Sequence, residues 1–161
     1  MTFWAASAMP SLSMLRTARF SVDLVYLGQT FEHVTRGEGR ALLAEIERVL
    51  TDGGHPAVDT PNRAATSIEL EGSGRQFIDP DHEVEYTHAE MIGLIGEAGL
   101  EPVRWHGLNY LGAELDSGSV TETAIAESPG LFDVPARCYL LAYVAAKPHR
   151  ATGGDEVKRR W

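Results

Sequence analysis

Residues 22–63 read VDLVYLGQTFEHVTRGEGRALLAEIERVLTDGGHPAVDTPNR, and this stretch decides the fold. Val22 to Leu27 is a run of mostly apolar, β-branched and aromatic residues with Asp23 near its start. Such unbroken apolarity predicts a strand covered on both faces, the pattern of a parallel sheet. A polar turn follows, from Gly28 to His33. Thr35 and Glu38 then have capping-box spacing, and Leu42, Leu43, Ile46, Val49 and Leu50 recur on one helical face until Gly53-Gly54 stops the helix. His55 to Asp59 reads as the next strand, with Pro56 tolerable only among its first residues because it cannot donate to a ladder. Thr60, Pro61 and Asn62 end the unit.

Working outward, Ala64 to Gln76 is polar, contains Gly72 and Gly74 and has no period, which predicts a mobile surface loop. Thr87 and Glu90 form a second capping box, and Met91, Leu94, Ile95 and Ala98 keep helical spacing up to Gly99. Pro102 to Leu108 reads as a strand. Ala113 to Ala136 has the glycines, prolines and hydroxyls of a long insertion, with a little helix near Thr121 to Glu127. Arg137 to Ala146 is the most strand-like run of the chain. Residues 1–19 read as an irregular lead-in, 20–147 as one domain, and 148–161 as a flexible tail.

In an open parallel sheet, ligands bind outside the carboxyl ends of the strands. Gly28, Gln29, Thr30, Glu32 and His33 lie at one such end, and Thr60, Pro61 and Asn62 at the next. An imidazole titrates near neutrality, so His33 is a candidate proton acceptor with Glu32 orienting it. The competing reading has both residues satisfying backbone groups at the turn. Asn62 after Pro61 is equally suited to closing a turn with its own side chain. The segment Phe77 to His88, FIDPDHEVEYTH, concentrates carboxylates, imidazoles and a tyrosine just before a helix. Asp79, Asp81, His82 and His88 are usable metal ligands, but their spacing matches no specific metal motif, and no metal is assigned.

The segments VDLVYLGQTFEHV, GEGRALLAEIERVLTDGG and AVDTPNR resemble the middle of a class I S-adenosylmethionine-dependent methyltransferase of the broad small-molecule or glycan-modifying kind. FIDPDHEVEYTH resembles the Asp-His-x-x-x-Tyr-Thr stretch that in such enzymes closes over the acceptor. The resemblance spans roughly Phe20 to Lys147. It implies an α/β fold, a partial Rossmann-like sheet that is mixed, with its last strand antiparallel, and flanking helices. It implies S-adenosyl-L-methionine as cofactor, with Leu27, Gly28, Gln29 and Thr30 on its methionine side. Thr60, Asn62, His82 and Tyr86 would face the acceptor, and His33 with Glu32 would be catalytic.

The family holds its cofactor mainly through a glycine-rich turn after the first strand and an acidic residue after the second, and neither is in this sequence. The expectation is therefore the carboxyl-terminal portion of such an enzyme, truncated and incomplete alone. Val22 to Leu27 would become an edge strand, completed by a second copy or another polypeptide. The alternative is a catalytically silent remnant that serves as a binding or dimerisation module.

Composition narrows the partners. Among 161 residues, 43% are hydrophobic and 23% charged, ordinary for one globular domain. A net charge of -9 repels phosphate backbones and anionic lipid heads, so nucleic acid and membrane surfaces are excluded in favour of a small neutral or cationic molecule. Cys138 is the only cysteine, which rules out an intrachain disulfide and fits a reducing cytoplasm. No run reaches the roughly 20 apolar residues of a membrane span.

Overall fold

The computed structural model describes residues 3–6, 19 and 21–149. They build one mixed sheet of strands β1 (Phe3–Ala6), β2 (Val22–Gly28), β3 (Leu50–Pro61), β4 (Glu101–Tyr110), β5 (Leu131–Phe132) and β6 (Cys138–Ala146). The spatial order is β1-β2-β3-β6-β4-β5. β1, β2 and β3 run parallel, and β6 lies antiparallel between β3 and β4. The sheet is thus α/β with its final strand antiparallel, as expected.

Helix α1 (Arg36–Val49) joins β2 to β3, and its capping box is formed, with the Thr35 hydroxyl accepting from Glu38 N–H and the Glu38 carboxylate accepting from Thr35 N–H. Leu42, Leu43, Ile46 and Val49 pack against Val25, Leu27, Val58, Leu141 and Tyr143 of the sheet. Met91, Leu94 and Ile95 of α3 (His88–Glu97) join the same core. Each such side chain contributes about 1.5–3 kcal/mol when fully buried, so this one face holds most of the stability.

Several expectations are corrected. Among the described residues, the opposite face of the sheet lacks the cover that parallel-sheet patterning predicted: Tyr26, Ala57, Asp59, Arg104, His106, Ala142 and Val144 line an open groove there. Tyr26 is 40% exposed. Val22 to Leu27 is not an edge, because β1 pairs with it from Leu24 to Leu27. That strand falls inside the lead-in expected to be irregular. Residues 1, 2 and 7–18 of the lead-in, residue 20 of the domain, and 150–161 of the expected tail lie outside the described residues.

β3 starts at Leu50, before Gly53-Gly54, and a register shift in β2 between Val22 and Leu24 absorbs the extra residues. Pro56 sits one residue before the β3–β6 ladder begins at Ala57. The first half of the expected surface loop is helix α2 (Arg63–Glu69), capped by the Asn62 side chain accepting from Ala64 N–H. Two short helices, α4 (Gly112–Ser117) and α5 (Glu122–Glu127), and the two-residue β5 occupy the insertion. With α2 they build a small second core around Ala65, Leu111 and Val120. Cys138 is buried, and burial raises its thiol pKa.

Two polar devices lock the layers. Lys147 is only 2% exposed, and its ammonium donates to the carbonyls of Glu47 and Leu50 and pairs with Glu47 Oε1, so a cation closes the carboxyl end of α1 where the helix dipole favours it. Glu90 ties three helices: it completes the α3 capping box with Thr87 and pairs with Arg36 at 3.0 Å and Arg63 at 2.8 Å.

Two outcomes are expected. Lys147→Met removes the donor and leaves helix-end carbonyls buried, which should cost about 1–3 kcal/mol in denaturant melts. Burial opposes ionisation of Glu90, but the Thr87 N–H and hydroxyl, Arg36 and Arg63 outweigh it and bring its pKa from 4.5 to about 2. Because the folded value lies below the unfolded one, its contribution is complete above pH 4.5 and is lost as pH falls toward about 2. Glu90→Gln should flatten the stability-versus-pH curve in that window.

Candidate active site

The tips of β2 and β3 lie side by side. Gln29 N–H donates to Asp59 O, the Gln29 carboxamide donates to Asp59 Oδ1 at 2.6 Å, and the Tyr26 hydroxyl donates to Asp59 Oδ2 at 2.9 Å. Asp59 therefore braces Gln29, which holds a left-handed backbone at φ 46° that non-glycine residues seldom adopt. Past this brace the chain enters a single 3-10 turn, Phe31–His33.

That turn buries Glu32 completely. Thr60, at the tip of β3, donates its hydroxyl to Glu32 Oε2 at 2.8 Å, while Oε1 has no hydrogen-bond partner among the described residues. Burial raises the pKa of this carboxyl, opposed by backbone and Thr60 hydrogen bonds and by the nearby imidazoles of His33 and His82.

The segment before α3 folds onto the same turn. The carbonyl of Glu32 accepts from Glu83 N–H at 2.7 Å and from Val84 N–H at 3.2 Å. This brings His82 beside His33, with ring centroids 4.9 Å apart and edge to face. His33 Nδ1 lies 3.2 Å from the carbonyl of Asp81, and His82 Nδ1 lies 2.9 Å from Glu85 Oε1. Both acceptors demand a proton on Nδ1, which leaves Nε2 of each ring with a free lone pair. Glu85 is itself buried and held by Thr66 Oγ1 and by Ile78 N–H.

A cleft of about 520 Å³ opens at this point, lined by Gln29, Glu32, His33, Pro61, Asp79 and His82 together with Glu69, Arg75, Glu122, Ile125 and Tyr139. The Tyr139 hydroxyl donates to Glu69 Oε2 at 3.1 Å. Burial raises the Tyr139 phenol pKa, and the neighbouring Glu69, Glu85 and Glu122 raise it further. The cleft is therefore acidic, with Arg75 the one cation in its described lining.

The sequence-derived candidates divide. Glu32, His33, His82 and Gln29 line the cleft, and Thr60 lies behind it on Glu32. Leu27 and Gly28 are buried, and Thr30 is buried with its hydroxyl on the Gly28 carbonyl. Asn62 spends its side chain on Ala64 N–H and on the Cys138 carbonyl at 2.7 Å. Tyr86 is fully buried, edge to face with Phe31 at 6.5 Å and beneath the Arg36 guanidinium, so it packs under the cleft rather than in it. Of the residues considered for metal, Asp79 and His82 reach the cleft, while His88 stacks on Tyr143 with rings 5.7 Å apart. Glu69 and Tyr139, the latter in a run whose apolarity marks it as core, also line the cleft, and Glu85 stands behind it on His82. Glu85 was legible as the carboxylate three residues after His82.

No protein-family model and no curated protein matches this sequence. Solved structures do. An S-adenosylmethionine-dependent methyltransferase from Thermotoga maritima superposes at TM-score 0.62 with 16% identity, over 86% of this chain and 62% of its own. The Haloferax volcanii complex of the Trm112 methyltransferase activator with a methyltransferase gives 0.57 and 19%, over 88% and 60%. The [4+2]-cyclase SpnF gives 0.56 and 15%, over 89% and 56%. The chain thus spans about three fifths of the length of these structures. With parallel strands β1 to β3, an antiparallel β6 between β3 and β4 and polar groups gathered at the strand ends, this chain has the class I S-adenosylmethionine-dependent methyltransferase fold.

Proposed function

We propose that this chain contributes the acceptor side of a methyl-transfer site acting on a small neutral or cationic hydroxyl or amine. The observation that carries the reading is the convergence of Glu32, His33 and His82 on one acidic cleft at the carboxyl ends of β2 and β3. Bound S-adenosylmethionine would supply an electrophilic methyl group on its sulfonium. Of the residues expected to hold it, Gln29 is the one whose side chain reaches the cleft, so Gln29 would orient its amino-acid portion. Leu27, Gly28 and Thr30 support that tip from within.

His33 acts on the acceptor. With Nδ1–H committed to the Asp81 carbonyl, Nε2 of the neutral ring would take the proton of a hydroxyl as its oxygen bonds to the methyl carbon, or would first deprotonate an ammonium to free the amine lone pair, and the methyl group would leave the sulfonium sulfur in the same displacement. Glu32 would stabilise the imidazolium that results, because against the effect of burial the neighbouring imidazoles of His33 and His82 favour its carboxylate form. Glu69, Asp79 and Glu122 favour a cation over an anion in the same space. Positioning supplies much of the remaining rate. The acidic surface, and strand β1 at the edge of the sheet, leave room for a second copy or another polypeptide to complete the nucleoside wall, and a cytoplasmic setting fits the free Cys138.

A second reading has support in the sequence itself, which contains no glycine-rich turn of the cofactor-binding kind: a catalytically silent module that binds a partner. Calorimetry separates the two. Heat on titrating S-adenosylmethionine into the chain alone is expected if it acts autonomously, none at millimolar ligand eliminates autonomous catalysis, and none after a completing chain is added leaves the second reading. In the methyl-transferring form, alone or completed by a partner chain, His33→Ala should lower turnover by ~100-fold or more with an unchanged melting curve. Unaltered turnover removes His33 from the chemistry.

A further inference from the structure

The cleft contains a feature that proton transfer does not require. One carboxylate oxygen of Glu32, one ring nitrogen of His33 and one of His82 all lie within 4.8 Å of one another. Glu32 is wholly buried, and its Oε1 is a charged-group oxygen with no hydrogen-bond partner among the described residues. Leaving such an atom unpaired is costly, and native folds seldom tolerate it without a ligand. Both imidazoles are already arranged as metal ligands are. Each donates Nδ1–H to an oxygen, His33 to the Asp81 carbonyl and His82 to the Glu85 carboxylate, which fixes the tautomer and turns the Nε2 lone pair outward. Thr60 does the corresponding service for Glu32 by holding Oε2.

We propose that Glu32, His33 and His82 form a binding site for one divalent transition-metal ion. Two imidazoles and one carboxylate on one side of an ion leave its other positions open to water or an acceptor, and this donor set suits Zn²⁺, Fe²⁺, Co²⁺ or Mn²⁺ better than the all-oxygen shells of Mg²⁺ or Ca²⁺. Bonds of roughly 2.0–2.2 Å place the donors of one ion some 3–4 Å apart, so side-chain shifts of about an ångström close the set. Glu85, locked by Thr66 and Ile78 N–H, is the outer carboxylate that positions His82. An ion here neutralises Glu32 and faces the open cleft, where it would lower the pKa of a bound hydroxyl or water. His33 Nε2 is then a ligand, and activation of the acceptor passes from the ring to the ion. The ion site shares its cleft with the methyl-transfer reading, but its readout needs neither cofactor nor acceptor, so the two fail separately.

The test is metal binding by the chelator-stripped chain. Equilibrium dialysis against Zn²⁺ with elemental analysis, and visible absorption on titration with Co²⁺, should show one ion per chain, with Mg²⁺ failing to compete. Glu32→Gln, which keeps shape, and His33→Ala, at a half-exposed position, should each weaken binding at least tenfold. Glu85→Gln should weaken it by ~10–100-fold without touching the ion, the effect of an outer partner. Should His82→Ala fail to fold by circular dichroism, the Glu32 and His33 variants carry the test alone. No stoichiometric binding, or binding that survives in the Glu32→Gln, His33→Ala double variant, overturns the proposal.

Discussion

The site depends on one pair of backbone hydrogen bonds, in which the carbonyl of Glu32 accepts from both Glu83 and Val84 N–H. The segment from Leu70 to Tyr86 has no regular secondary structure to place it. Its position comes from ties to the tips of β2 and β3: Asp81 O at His33, Glu83 and Val84 at Glu32, and Tyr86 O receiving Arg63 N–H. Asn62 and Tyr86 add an isolated parallel bridge. Remove these ties and His82 has no reason to stand beside His33. The cleft is thus made by the docking of an irregular segment onto a rigid sheet edge, the usual division of labour between scaffold and functional loop.

Among the described residues two carboxyl groups, Glu32 and Glu85, and one ammonium, Lys147, are buried, and their surroundings differ in kind. Lys147 is saturated by carbonyls and a carboxylate. Glu85 is saturated by Thr66, Ile78 N–H and His82. Glu32 is only half satisfied, by Thr60. A buried charge costs little when every lone pair or proton is matched and a great deal when one is not. On that asymmetry Lys147 and Glu85 are structural, whereas Glu32 is held ready for something that enters from the cleft.

What the sequence made legible was local. Capping boxes at Thr35–Glu38 and Thr87–Glu90 depend on residues three apart and the apolar stripes of α1 and α3 on helical period, so both appear in the structure, although α1 ends at Val49 and Leu50 already belongs to β3. The strand ends expected at Leu27 and Asp59 lie one and two residues short of those observed, Gly28 and Pro61. The rest depends on pairings distant in sequence. Phe3–Ala6 gains its strand only from β2, and α2 forms in a polar stretch because Asn62 caps it and Ala65 reaches a core assembled from Leu111 and Val120. Tyr86 carries a polar group, yet Phe31 and Arg36 surround it, and no periodicity announces that. The pairing of Glu32 and His33 with His82 crosses the whole α1–β3–α2 unit and is invisible until the loop is docked.

Fold does not select a reaction, and the likeness to a [4+2]-cyclase as well as to methyltransferases makes the point within one sheet topology. The selection has to come from the groups at the strand ends. Among the described residues these are imidazoles, carboxylates and a tyrosine, with one arginine, and the two backbone tips are braced by Asp59 rather than opened toward a ligand. Such a set handles protons and cations well. On the reading proposed above, the groups between Gln29 and Tyr139 would serve activation of an acceptor, and the unpaired oxygen of Glu32 is the atom that a positive charge, whether proton, ammonium or metal ion, would complete.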